Sequence, residues 1–125
     1  MITEYDALRF IFDCYQFDFF SDDYKNLESI YENISKHFGY KIKPPESMVN
    51  NLAYTYLSFK TFDAAIYLFK LNVTNYPDSY NVYDSLGEYY EATGDKLNAI
   101  GNYKKTLSIK EVPAIRKKLE NLQQK

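Results

Sequence analysis

Asp84, Glu88 and Glu91 fall at i, i+4 and i+7, a spacing that sets three carboxylates on one face of a helix. Paired carboxylates can serve as acid and base in glycoside hydrolysis when they flank a cleft that splits their pKa values. Here all three share one helix, and no partner base or cleft motif accompanies them. Their expected chemistry is therefore recognition of a basic or neutral peptide. The competing reading is a solvated helix face, with any groove beside it filled by the N-terminal helices. Cys14 is the only cysteine, so neither an intrachain disulfide nor a thiolate-rich metal site is expected. His37 is the only histidine and reads as a polar residue near a helix end. None of the four glycines belongs to a Gly-x-Ser-x-Gly nucleophile elbow. No catalytic residue, metal or cofactor is expected.

Those carboxylates need a helix to carry them, and the surrounding chain supplies one at regular intervals. Val49, Leu52, Ala53, Tyr56, Ala65 and Phe69 are followed by Tyr83, Leu86, Gly87, Tyr90, Ala99 and Tyr103, each exactly matched pair standing 34 residues apart. Apolar residues at three- and four-residue steps mark helices. The small residues Ala53, Gly87, Ala65 and Ala99 mark places where two helices approach closely. The first pair of helices is expected over about 46–59 and 61–75, and Pro77-Asp78-Ser79 closes the unit and caps the next helix. The second unit runs over about 80–112, with Thr93-Gly94-Asp95 as its turn: Gly94 suits a left-handed position and Asp95 an N-cap. A last helix from Pro113 carries Ile115, Leu119 and Leu122 on one side and reads as a polar cap for an open stack. Its Arg116-Lys117-Lys118 run is expected to be a solvated face.

Upstream, the aromatic residues crowd together. Residues 4–20 read as a helix to about Tyr15 followed by an aromatic turn containing Phe17, Phe19 and Phe20. Ser21-Asp22-Asp23 offers caps for a second helix striped by Leu27, Ile30, Tyr31, Ile34 and Phe38, which Gly39 can stop. Pro44 and Pro45 then separate this hairpin from the first repeat. Phe10, Ile11, Phe12, Phe17, Phe19 and Phe20 exceed what a thin hairpin can bury on one side, so Phe17, Phe19 and Phe20 are a candidate interface with a second copy of the chain or with a catalytic domain.

Composition narrows the partners. A net charge of −2 over 125 residues gives no reason to expect a nucleic acid or an anionic membrane surface. No run of apolar residues is long enough to span a bilayer, and Met1-Ile2-Thr3-Glu4 lacks the features of a signal peptide. A cytoplasmic location is expected for the chain as it stands. The high tyrosine and phenylalanine content, 14 and 9 residues with no tryptophan, suits half-buried positions where a ring packs and a hydroxyl stays wet.

In period and residue order the two units resemble the tetratricopeptide repeat. The resemblance implies an all-α, right-handed superhelical array of helical hairpins, about seven helices in all, within a single domain spanning 1–125. Its parts would be a divergent hairpin at 1–40, repeats at 46–79 and 80–112, and a capping helix at 113–125. It implies a non-catalytic protein-interaction module that binds a protein or peptide in a concave groove lined by the first helix of each hairpin. Mapped onto this sequence, that groove takes Asn50, Tyr54, Leu57, Asn81, Asp84, Glu88 and Glu91. The family's basic carboxylate clamp for chaperone tails has no counterpart here. Departures from the pattern are Val49 and Tyr83 for the opening tryptophan, Lys60 for a turn glycine and Glu111 for a closing proline.

A narrower resemblance lies in the wording of residues 40–110. YKIKPPESMVNNLAYTYL and FKLNVTNYPDSYNVYDSLGEYYEATGDKLNAIGNYKKTLSIK are similar to the C-terminal repeat extension of bacterial α/β-hydrolase esterases related to siderophore esterases. Those enzymes hold their triad in an upstream domain, so no catalytic residue carries over. The resemblance implies an accessory module whose partner is a hydrolase domain, and a periplasmic or extracytoplasmic location if the chain is part of a secreted esterase. The alternative function is a self-associating structural domain, with a homodimer as its form.

Overall fold

The computed structural model describes residues 22–124, and these are all-α: one 3-10 helix and six α-helices, with no strand among them. The expected first helix, Cys14, and the aromatic turn with Phe17, Phe19 and Phe20 lie outside the described residues. The chain divides into two compact units, 1–48 and 49–125.

In the first unit, a 3-10 turn at Asp22–Asn26 leads into α1, Leu27–Phe38. The side chains of Ser21, Asp22 and Asp23, expected to cap this helix, lie outside the described residues; Asn26 holds the N-cap position of α1 in helical conformation with no side-chain cap bond, because the 3-10 turn already runs into α1. Leu27, Ile30, Tyr31 and Ile34 form its buried stripe, the i, i+3, i+4, i+7 pattern of an amphipathic helix. Phe38, expected on that stripe, is only half-buried in the last turn. Gly39 ends α1 at φ +79° and donates its N–H to the Ser35 carbonyl, a left-handed stop that costs glycine little. The Ser35 hydroxyl bonds the Tyr31 carbonyl and accepts from Ile42 N–H, both at 2.7 Å, pinning the outgoing strand of chain to the helix.

Five helices follow: α2 Glu46–Ser58, α3 Phe62–Asn75, α4 Tyr80–Thr93, α5 Lys96–Ile109 and α6 Pro113–Gln124. Starts of α2 and α4 differ by the sequence period, and so do both ends of α3 and α5. The turns repeat as well. Lys60 N–H bonds the Leu57 carbonyl and Thr61 N–H the Tyr56 carbonyl, while one period later Gly94 bonds Glu91 and Asp95 bonds Tyr90. This is the two-bond Schellman closure in both places. Lys60 pays for its position with φ +59° where Gly94 has +84°. Asp95 caps α5 by accepting from Asn98 N–H, as its place in the turn leads one to expect. Ser79 precedes α4 in extended conformation without a side-chain cap bond.

Within the second unit α3 packs on α4, α4 on α5 and α5 on α6. Val49, Ala53, Ala64, Ala65, Leu68 and Phe69 are fully or almost fully buried, and truncating one of the large ones costs about 2–5 kcal/mol. The Phe69 ring meets Tyr54 edge-on at 5.1 Å and tilts against Tyr89 at 6.1 Å. Two details differ from the sequence expectation. Tyr90, the counterpart of buried Tyr56, is only half-buried, and Tyr89 takes the inward place because its ring completes the cluster with Phe69 and Phe62. Gly87 faces Tyr103 instead of a small residue: a Cβ there would lie 2.7 Å from the Tyr103 ring.

Candidate functional site

The candidate groove residues come from α2 and α4. Asn50, Tyr54 and Leu57 are half-buried on α2; on α4, Asp84 and Glu88 are half-buried, and Asn81 and Glu91 are exposed. The structure joins four of them through partners that lie on other helices. The Tyr54 hydroxyl donates to Glu88 Oε2. Lys118 Nζ, reaching from α6, donates to Glu88 Oε1 at 2.5 Å and to Asp84 Oδ1 at 3.2 Å. Tyr103 on α5 donates its hydroxyl to Glu91 Oε2 at 2.7 Å. The Lys118 ammonium also lies 5.7 Å from the centre of the Tyr103 ring. A continuous polar chain therefore runs Tyr54, Glu88, Lys118, Asp84 from α2 through α4 to α6, with Tyr103 and Glu91 beside it.

Burial sets its electrostatics. Desolvation pushes the Asp84 carboxyl above its ordinary range even though Lys118 pulls it down. For Lys118, desolvation opposes the charge, but the bond to Glu88 and the field of Asp84 outweigh it and hold the ammonium above the usual lysine range. The Tyr54 and Tyr103 phenols are both pushed up, first by burial and then by their bonds to Glu88 and Glu91. A phenol bonded to a carboxylate resists ionising, since its anion would face another anion at hydrogen-bond distance.

Lys118 is the residue that sequence reasoning missed. Its neighbours behave as the run suggests: Lys117 is exposed, and Arg116 is exposed and forms a two-pronged pair with Glu111, Nη2 to Oε2 being 2.9 Å. Lys118 instead turns inward to the carboxylates. The acidic face is consequently not an open one: its charge is partly neutralised from α6. Asn50, Leu57 and Asn81 have no place in this polar chain. A signal existed in the spacing, because Lys118 and Asp84 are separated by the same 34 residues as Glu88 and Tyr54.

Among the described residues no cluster of His, Cys, Asp and Glu could hold a metal ion, and no helix is long and apolar enough to cross a membrane. The sequence matches no protein-family model and no curated protein.

Proposed function

We propose that this chain is a non-catalytic binding module of the tetratricopeptide-repeat class, which takes a protein or peptide on the face of α2 and α4. The observation that supports this best is the recurrence, at one period, of helix bounds and of both turn hydrogen bonds. Units that repeat in backbone detail stack through like surfaces, and such stacks offer extended faces suited to a partner. The carboxylates that could suggest acid–base work are bonded to Lys118 and to two phenols, an arrangement that builds a surface. On the wording of residues 40–110, a hydrolase domain is one partner of this kind.

The test is a peptide array probed with the full chain, followed by titration of the best binders. Leu57→Asp and Asn81→Arg alter the face without touching the polar chain. They are expected to lower affinity at least about tenfold, or by about 1.4 kcal/mol, with unchanged melting. Binders indifferent to both changes, or no binder at all, would overturn the proposed face. Hydrolysis of a model ester that is lost in Glu88→Gln would replace the reading with a catalytic one.

A further inference from the structure

We propose that α6 is the resident occupant of a helix-binding slot on α4 and α5, and that the partner recognised there is a basic amphipathic helix presenting residues at the spacing of Ile115, Lys118, Leu119 and Leu122. This deepens the protein-binding reading and rests on it.

The slot has an apolar floor and an acidic rim. Ala99 and Tyr103 of α5 are fully buried in one cluster with Ile115, Leu119 and Leu122 of α6. Above the Tyr103 ring, Asp84 and Glu88 hold the Lys118 ammonium between them. Every buried residue of α6 belongs to this one stripe. Its other face, with Arg116, Lys117, Glu120 and Asn121, is exposed. A helix of 12 residues is marginal by itself in water, so α6 owes its form to the slot. Lifting it away would bare Ala99 and Tyr103 and leave two carboxylates without their cation. The opened state thus calls for a replacement of the same chemistry: an apolar stripe for the floor and one basic group for the rim. Docking an amphipathic helix into such a groove is a common recognition mode, and the acidic rim selects among candidates by charge.

The test uses the full chain and a fluorescein-labelled synthetic peptide of residues 110–124. Leu119→Ala loosens α6 through its apolar stripe, and Lys118→Gln loosens it through its charge while leaving that stripe intact. An occupied slot lowers apparent affinity by the fraction of molecules that are open. Fluorescence anisotropy should therefore show the peptide binding Leu119→Ala at least about tenfold, and Lys118→Gln about fivefold, more tightly than the wild type. The same peptide carrying Lys118→Glu should bind the variants at least about tenfold more weakly. Equal affinity for wild type and variants, or indifference to the peptide's charge, would overturn the proposal. Should Leu119→Ala fail to fold by circular dichroism, Lys118→Gln carries the test with its gain of about fivefold. Array binders that fail while peptide exchange succeeds would fault the α2 and α4 face and spare the slot.

Discussion

Two single residues carry opposite errors of fit. Lys60 occupies a left-handed turn, φ +59°, that Gly94 fills one period later, and a side chain in that region costs about 1–2 kcal/mol. Lys60→Gly removes the strain but raises the entropy of the unfolded chain. The expected net gain is about 0.5–1 kcal/mol, measured by urea unfolding, and a loss would show that Lys60 makes contacts worth more than its strain. Gly87 is the reverse case. Alanine would improve helix propensity by about 1 kcal/mol, yet its Cβ would meet the fully buried Tyr103 ring at 2.7 Å. Overpacking costs about 1–3 kcal/mol, so Gly87→Ala is expected to destabilise by about 1 kcal/mol. Because the clash is with one ring, pairing it with Tyr103→Leu should give less than the sum of the two losses.

At the scale of the helix, α6 is held by an apolar stripe and one cation, and the two can be separated by pH. Lys118 side-chain exposure is 34% and that of Asp84 19%, so the pair is neither freely solvated nor buried. Lys118→Ala leaves Asp84 and Glu88 facing each other one turn apart, and a loss of about 1 kcal/mol is expected, larger at low salt. Asp84 has a folded pKa above its unfolded one, so its ionised form weighs against folding, and that cost is relieved as pH falls through the folded value. Removing Lys118 takes away the group that pulls Asp84 down. The deficit of Lys118→Ala should accordingly shrink on acidification through the carboxylate range, and a deficit that widens there would refute the assignment. Asp84→Asn, for which desolvation already outweighs the ion pair, is expected to cost about 0.5 kcal/mol or less.

Across the whole molecule, what was legible was what repeats. Leu52, Ala53, Tyr56, Ala65 and Phe69 are buried, as are Leu86, Gly87, Ala99 and Tyr103, because core positions recur with the helical period and show in residue type. The turn at Gly94-Asp95 was legible because glycine and aspartate are chosen for backbone reasons that need no tertiary knowledge. Lys118 was hidden because a lysine in a basic run looks the same whether its head meets water or a carboxylate on another helix. Tyr89 in place of Tyr90 was hidden for a related reason: adjacent tyrosines differ only in which neighbouring ring is there to meet them. Alkaline pH tests the assembled network. The raised phenols of Tyr54 and Tyr103 contribute stability that is full below the unfolded tyrosine value of about 10 and is lost as pH rises above it. Stability should fall from about pH 10 upward, and Tyr54→Phe and Tyr103→Phe should each flatten that slope; a slope unchanged in both would show that neither phenol is anchored as described.

The same two phenol–carboxylate bonds give the molecule an optical reporter of its own. With no tryptophan in the chain, ultraviolet emission comes from tyrosine alone, and a phenol that donates to a carboxylate loses its excited-state proton readily and emits weakly. Tyr54 and Tyr103 each donate to a carboxylate of α4, so both are expected to emit weakly. Separation of α4 from α2 or from α5, by denaturant or in a loosened variant, parts a phenol from its carboxylate and brightens it, so the loosening of these helices can be followed without a label.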